Sequence, residues 1–259
     1  MSSTQIHPTA LVDPGAELGP GVEVGPYCII GAGVRVGAGT VFRSHVVVDG
    51  PTRIGENNFF YPYSAIGHRS QDLKYTREPT YLEIGDDNTF REFATVHRAT
   101  SPDCHTRIGH RGNFLAYSHI AHDCIVGNDV IFSNNGSLAG HVIVEDFVIV
   151  GAFSAVHQFC RVGRNAMVGA CSKIVQDIPP FMIGDGNPAA IRGINKVGLE
   201  RCGFEKETIQ ELKEAYRILY RSDLNTGQAL QRIKESLRDL DEVRHITDFI
   251  QASERGIVR

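Results

Sequence analysis

The sequence lacks tryptophan, and no apolar run in it approaches the ~18 residues that a membrane-spanning helix needs. Its first residues, Met1–Gln5, carry neither the basic nor the apolar segment of a secretion signal. We therefore expect a cytoplasmic protein with no integral membrane association. Positive charge is not in excess, because 26 Lys and Arg residues stand against 30 Asp and Glu residues. The resulting net charge of -4 disfavours nucleic acid as a partner.

Cysteine is scarce and lacks the spacing of a disulfide framework or a zinc site. None of the six cysteines belongs to a CxxC pair, and a chain of 259 residues can bury a core without covalent links. We therefore expect free thiols at Cys28, Cys104, Cys124, Cys160, Cys171 and Cys202.

Glycine is abundant, and the 27 glycines accompany a six-residue repeat. Stepping by six from Ile6 to Ile174 meets Ile, Val, Leu or Phe at 26 of 29 positions, whereas the 72 such residues in 259 would give about 8 by chance. This period fits neither a helix nor a simple alternating strand. It predicts a triangular solenoid of parallel strands, in which each hexad is a short strand plus a corner.

Details of the repeat predict corners, loops and a second domain. Glycine directly follows twelve of the repeat positions, and we expect it to allow tight corners. The three misses, Asp72, Glu78 and Pro102, fall in polar stretches at about 68–79 and 98–107, which we expect to be loops that leave the phase unchanged. The repeat stops near Pro179 and Pro180, and from about Asn195 the apolar spacing becomes helical. We therefore predict an all-β solenoid over residues 1–190 and a small C-terminal helical domain over residues 191–259.

Stacking of successive coils gathers histidines on one ridge. Residues 18 apart lie one above another, so a step from His122 reaches Gly140, beside His141, and a second step reaches Gln158, beside His157. A glycine above the imidazole would bring a bare backbone N–H close to a ligand, as an oxyanion site requires. Solvated surface histidines are the first alternative, and a metal site formed by histidines of two subunits is the second.

Five short strings within the repeat closely resemble the UDP-N-acetylglucosamine O-acyltransferase family, and the likeness extends into the helical tail. They are Gln71-Asp72-Leu73-Lys74-Tyr75, His97-Arg98, His119-Ile120-Ala121-His122-Asp123-Cys124, Leu138-Ala139-Gly140-His141 and His157-Gln158-Phe159-Cys160. The resemblance implies a left-handed parallel β-helix that forms a homotrimer with active sites between subunits. It also implies transfer of an (R)-3-hydroxyacyl group from acyl carrier protein to the 3-hydroxyl of UDP-N-acetylglucosamine, the first step of lipid A (lipopolysaccharide) biosynthesis.

The same resemblance implies roles for individual residues. His122 would be the general base, Asp123 its orienting carboxylate and Gly140 the donor to the oxyanion. No metal and no cofactor is implied apart from the phosphopantetheine of the carrier protein, and Ala170 would limit the acyl chain length. Substrate contacts would come from Asp72, Lys74, His119, His141, His157, Gln158, Asn195 and Arg201.

The sequence alone also allows other functions. A binding or structural solenoid would lack the histidine ridge and the Asp72 to Lys74 loop. The related N-acyltransferase of the same pathway carries an additional N-terminal uridine-binding domain, whereas here the repeat begins at Ile6. A γ-class carbonic anhydrase would hold zinc. The sequence also leaves open whether the acceptor carries a 3-hydroxyl or a 3-amino group, because the same base serves both.

Overall fold

The computed structural model describes residues 3–259, and most of its strands are two residues long. The first fourteen are β1 Gln5–Ile6, β2 Leu11–Val12, β3 Glu17–Leu18, β4 Glu23–Val24, β5 Ile29–Ile30, β6 Val34–Val36, β7 Val41–Phe42, β8 Val47–Val48, β9 Thr52–Ile54, β10 Phe59–Phe60, β11 Ala65–His68, β12 Tyr81–Ile84, β13 Thr89–Phe90 and β14 Thr95–His97. The others are β15 His105–Ile108, β16 Asn113–Phe114, β17 His119–Ile120, β18 Ile125–Val126, β19 Ile131–Phe132, β20 Ser137–Leu138, β21 Ile143–Val144, β22 Ile149–Val150, β23 Ala155–Val156, β24 Arg161–Val162, β25 Met167–Val168, β26 Lys173–Ile174, β27 Met182–Gly186 and β28 Ala189–Ile194.

The strands form three sheets, each built from every third strand as far as β26, and this confirms the left-handed parallel β-helix. Parallel partners are usually 18 residues apart, as in the pairing of Phe59 with Val41. The offset grows to 30 where Phe59 pairs with Thr89, and to 24 where Thr89 pairs with Asn113. Both offsets are multiples of six, so the residues between β11 and β12, and between β14 and β15, leave the phase of the repeat unchanged.

Aliphatic and aromatic side chains stack along the axis of the β-helix. Phe42, Phe60, Phe90 and Phe114 form one column of fully buried rings, with centroids 4.9, 4.9 and 4.6 Å apart. This spacing is the distance between hydrogen-bonded strands, so each coil places its ring on the ring of the coil below. The core is therefore one continuous stack.

The glycines that follow the repeat positions act through close approach rather than through left-handed backbone. A Cβ at Gly37 would lie 2.6 Å from the carbonyl carbon and oxygen of Gly55 in the next coil. The left-handed corner positions are instead occupied mostly by larger residues, such as Tyr27 with φ 58° and Asp123 with φ 60°. Gly67, with φ 74°, is the exception, and at the other eleven positions glycine allows the tight corner because a side chain would crowd the next coil.

A hairpin and four helices follow the last parallel coil. β27 and β28 pair antiparallel, an element that the sequence reasoning missed. The helices are α1 Lys196–Arg201, α2 Lys206–Tyr220, α3 Thr226–Ser236 and α4 Asp241–Gln251. Helix α4 packs on the β-helix, where the Arg161 guanidinium lies 4.3 Å from the ring centroid of Phe249. Within residues 3–259 no helix is both long enough and apolar enough to cross a bilayer.

Candidate active site

The predicted histidine ridge borders a cavity of about 640 Å³ on the outer face of β17, β20, β23 and β26. The apolar part of its lining comes from Ala139, Ala155 and Val175, whereas Leu138, Val156 and Ile174 point into the core of the β-helix. The polar side chains at the cavity are those of Gln71, Asp72, His119, His122, Ser137, His157, Gln158 and Lys173. Such a cavity suits a ligand with an apolar chain and a polar head.

His122 and Asp123 form a hydrogen-bonded dyad at the corner that follows β17. Nδ1 of His122 lies 2.8 Å from Oδ2 of Asp123, and the two side chains are 13% and 9% exposed. Because a carboxylate only accepts hydrogen bonds, Nδ1 carries the donated proton and Nε2 keeps its lone pair when the ring is neutral. This pairing has the geometry of a general base and its orienting group.

Several donors hold the carboxylate of Asp123 in its charged form. Burial by itself raises the pKa of Asp123, but hydrogen bonds from His122 and Thr100, together with the charge of His141, outweigh burial and hold that pKa below its usual value. The backbone of the same residue is fixed as well, because its N–H donates to Oγ1 of Thr106 at 2.8 Å. Asp123 is therefore a rigid anion beside the imidazole.

Gly140 lies directly against the imidazole of His122. A Cβ at this position would lie 2.3 Å from Cε1 and 2.6 Å from Nε2, so no other residue fits without displacing the ring. On the corner that carries the dyad, the amides at this place of the hexad are left unpaired, as those of His122 and Gln158 are among the described residues. Among the hydrogen bonds of residues 3–259, the buried N–H of Gly140 has no acceptor. Gly140 thus places an unpaired hydrogen-bond donor beside the imidazole of His122.

His141 completes a cluster with the dyad. Its Nε2 lies 3.6 Å from Oδ2 of Asp123, and its ring meets that of His122 edge-on with centroids 5.3 Å apart. The ring of Phe159 stacks on the other side at 4.6 Å. The ligand atoms of His122, Asp123 and His141 all lie within 4.8 Å of one another, which is the spacing of a possible cation site.

His119 lies on the strand before the dyad and is also at the cavity. Its Nδ1 is hydrogen-bonded to Oγ1 of Thr95 at 2.7 Å, and its ring contacts that of His97 edge-on at 5.0 Å. Burial, followed by the nearby charge of His122, lowers the pKa of His119. At neutral pH this side chain is a neutral hydrogen-bonding group of the cavity wall.

Asp72 reaches the cavity from the loop between β11 and β12, whereas Lys74 does not. Oδ1 of Asp72 accepts a hydrogen bond from the backbone N–H of Lys74 at 2.9 Å. The side chain of Lys74 is exposed and does not line the cavity. Within one chain, the structure brings together Asp72, His119, His122, Gly140, His157 and Gln158, with His141 beside the dyad.

Three other predicted site residues lie elsewhere. Ala170 is an exposed corner residue, and Arg201 is an exposed residue at the end of α1. Asn195 is buried, caps the N-terminus of α1 through a hydrogen bond from the N–H of Gly198, and donates to the carbonyl of Asn165. These residues do not line the cavity around His122, so their roles stay predictions.

The sequence reasoning missed Lys173 and Thr100. Lys173 supplies a cationic side chain at the cavity rim, and the signal for it was available, because steps of 18 from His119 lead through Ser137 and Ala155 to Lys173. Thr100 donates its N–H to the carboxylate of Asp123 at 3.1 and 3.2 Å. It lies in a loop outside the repeat, so the repeat carries no signal for it.

The buried thiols take no part in this site. Cys124 and Cys160 are fully buried, and both are the free thiols that the sequence predicts. Burial raises the pKa of the Cys124 thiol to about 12. A thiol with that pKa is not a nucleophile at neutral pH.

Comparisons with known proteins point to one enzyme family. A model described as UDP-N-acetylglucosamine O-acyltransferase, domain 2, matches residues 177–258, and a model of bacterial transferase hexapeptide repeats matches residues 3–38 and 16–50. The structure of LpxA from Acinetobacter baumannii is 46% identical, covers 98% of this chain and 99% of its own, and superposes with a TM-score of 0.95. The UDP-N-acetylglucosamine O-acyltransferase of Moraxella catarrhalis is 44% identical with the same coverage and a TM-score of 0.94. The UDP-N-acetylglucosamine acyltransferase of Arabidopsis is 36% identical, with coverage of 98% and 100% and a TM-score of 0.89.

Proposed function

The chain belongs to the UDP-N-acetylglucosamine O-acyltransferase family, and from this premise we propose that it transfers an (R)-3-hydroxyacyl group from acyl carrier protein to the 3-hydroxyl of UDP-N-acetylglucosamine. This reaction is the first step of lipid A biosynthesis, and we place it in the cytoplasm. The observation that carries the proposal is the dyad, in which Asp123 holds Nδ1 of His122 and leaves Nε2 free beside Gly140.

The base is needed because an alcohol has a high pKa and must lose its proton as it attacks. Nε2 of His122 takes the proton of the sugar 3-hydroxyl while the sugar oxygen forms a bond to the thioester carbonyl carbon. Asp123 keeps the imidazole in the required tautomer and stabilises the imidazolium that forms, as the carboxylate of a catalytic triad does. An amino group at the same sugar position would use the same base.

The tetrahedral intermediate carries its negative charge on the former carbonyl oxygen. The unpaired N–H of Gly140 is a preorganised donor for this oxygen, and a lost donor of this kind costs about 10²–10³ in rate. Collapse of the intermediate breaks the carbon–sulfur bond, and the phosphopantetheine thiolate that leaves is protonated by the imidazolium of His122. The high pKa of Cys124 favours this direct transfer over an acyl-enzyme on that thiol.

The polar rim and the apolar floor suit the two halves of the reactants. Asp72, His119 and Gln158 lie where they can contact the sugar nucleotide, while Ala139, Ala155 and Val175 line a path for the acyl chain. Lys74 is exposed on its own chain, so we propose that a homotrimer brings it to the cavity of a neighbouring subunit. His141 and His157 would contact the donor or the sugar from the same ridge.

An acyl transfer assay tests this function. Purified protein is incubated with UDP-N-acetylglucosamine and 3-hydroxyacyl carrier protein, and release of the carrier thiol is measured together with the acylated nucleotide. His122→Ala should lower kcat by about 10²–10⁴ and leave nucleotide binding nearly unchanged, with Asp123→Ala costing less. His7→Ala, an exposed histidine of the first coil, is the matched control. A His122→Ala enzyme with most of the wild-type kcat would rule out the base, and no acylated product with wild type would rule out the reaction.

A further inference from the structure

The orienting carboxylate of the dyad is held by a loop that carries none of the predicted site residues. The N–H of Thr100 donates to both carboxylate oxygens of Asp123, at 3.2 and 3.1 Å. These bonds join two positions 23 residues apart, because the segment after β14 folds back over the corner that holds the dyad. The position of Asp123 therefore depends on the position of Thr100.

The hydroxyl of Thr100 meets a second loop. Its Oγ1 lies 2.6 Å from Oγ of Ser70, and the two residues are 7% and 6% exposed. Oγ of Ser70 also accepts the N–H of Asp72 at 3.1 Å. Several other buried hydroxyls of the β-helix bond to backbone carbonyls, as Ser64 does to Tyr61 at 2.9 Å, whereas Ser70 and Thr100 pair directly with each other.

These contacts form one continuous chain of hydrogen bonds from the cavity wall to the base. It runs from the N–H of Asp72 to Ser70, from Ser70 to Thr100, from Thr100 to Asp123 and from Asp123 to His122. In this chain of hydrogen bonds the hydroxyl pair joins the loop that follows β11 to the loop that follows β14, and the two loops meet again where the N–H of Asp103 donates to the carbonyl of Pro79 at 3.0 Å. Asp72 lines the cavity, so one end of the chain faces the bound acceptor and the other end holds the base.

The segment that carries Thr100 is anchored on the side away from the cavity. The guanidinium of Arg98 donates to the carbonyl of Gly67 at 2.7 Å and pairs with Asp49 at 3.1 Å. The N–H of Arg98 donates to the carbonyl of His68 at 2.9 Å. The N–H of Ala99 donates to the carbonyl of Tyr81 at 3.3 Å, and the hydroxyl of Ser70 then holds the side chain of Thr100.

We propose that Ser70 and Thr100 are positioning residues whose paired hydroxyls couple the acceptor-binding loop at Asp72 to the orientation of the His122–Asp123 dyad, an inference that rests on the proposed function. Neither hydroxyl touches the reacting atoms. The pair fixes two things together: the place of Asp72 on the cavity wall and the place of the carboxylate behind the base. Removal of either hydroxyl disturbs the positions of both Asp72 and the Asp123 carboxylate. Removal of the other hydroxyl as well then has no additional effect.

A double-mutant cycle with separate kcat and KM readouts tests the coupling. Ser70→Ala and Thr100→Val each remove one hydroxyl with little change of volume. Each should lower kcat about 5- to 50-fold and raise KM for UDP-N-acetylglucosamine severalfold, and the double variant should be no worse than the more damaged single variant. Thr100→Ser keeps the hydroxyl and should stay within about twofold of wild type. Thr100→Ala replaces Thr100→Val in the cycle if the valine variant does not fold.

Ser64→Ala is the matched control, because it removes a buried hydroxyl from the corner before β11, where that hydroxyl bonds to the carbonyl of Tyr61 and takes no part in the chain to Asp123. It should change neither kcat nor KM per folded molecule. Independent, multiplicative effects of Ser70→Ala and Thr100→Val would overturn the coupling, and so would variants that lose only folded protein. Failure of the proposed function is distinguishable, because wild-type protein would then give no acylated nucleotide.

Discussion

Nε2 of His245 lies 2.7 Å from a carboxylate oxygen of Glu145, across 100 residues of sequence. Glu145 belongs to the β-helix and His245 to α4, so this pair fastens the helical tail to the solenoid. The same carboxylate accepts the N–H of Arg164 at 2.8 Å, and the guanidinium of Arg161 lies 3.6 Å away. Burial raises the pKa of Glu145, but these partners outweigh burial and hold the pKa below its usual value.

The pair of Glu145 and His245 predicts that the free energy of unfolding falls in acid. Because the folded-state pKa of Glu145 is lowered, its contribution is fully present above the unfolded pKa of a glutamate and is lost as the pH falls through the folded value. Glu145→Gln should cost about 1–3 kcal/mol at pH 7 and progressively less as the pH falls below about 4.5. Thermal unfolding of both proteins from pH 3 to 8 measures the difference. Glu83→Gln, in a more exposed pair with Arg107, should cost under about 1 kcal/mol, and an equal loss there would contradict the prediction.

The contact of Gly140 with His122 predicts that a single methyl group damages catalysis. Gly140→Ala would push the imidazole away from its place, because the new Cβ would lie 2.3 Å from Cε1. A displacement of about 1 Å costs roughly 10² in rate, so kcat should fall by about that factor while the protein stays folded. Gly193→Ala is the control, since nothing lies within 4 Å of its Cβ. Wild-type kcat in Gly140→Ala would show that the ring has room to move.

If active sites lie between subunits, two inactive variants should regain activity when they form mixed trimers. Lys74 is exposed and outside the cavity of its own chain, so we expect it to act on a neighbour in the trimer. In a trimer that contains both Lys74→Ala and His122→Ala chains, one of the three sites combines an intact lysine with an intact histidine. Co-expression with two tags, double purification to remove the homotrimers and an activity assay should therefore give about a third of the wild-type rate. Activity no higher than in the separate variants would place each site within one chain.

Ala170 predicts a limit on acyl chain length. This residue is an exposed corner about 2.7 coils beyond His122, or about 13 Å along the axis, roughly the length of ten carbons. We expect a neighbouring subunit to complete an acyl groove that Ala170 closes. In competition among carrier proteins with acyl chains of different length, Ala170→Gly should shift preference to longer chains and Ala170→Met to shorter ones. Unchanged preference in both variants would remove Ala170 from the groove.

The sequence by itself determined the solenoid and the centre of the site. A period of six with three hexads per coil fixes which strands pair, because a register shift would expose every aliphatic position at once. The same arithmetic stacks Gly140 above His122, since both lie on one corner 18 residues apart. The period is visible in the spacing of residues along the chain, so it predicts the fold without knowledge of any tertiary contact.

The tertiary structure alone decided what lies outside the repeat. Thr100 and Ser70 belong to segments that interrupt the hexads, and their meeting at 2.6 Å depends on how two loops fold over the same corner. The hairpin of β27 and β28 and the contact of His245 with Glu145 arise where the chain turns back on the solenoid. Such contacts join segments of unrelated phase, so their geometry is set by packing and hydrogen bonding in three dimensions rather than by any spacing along the chain.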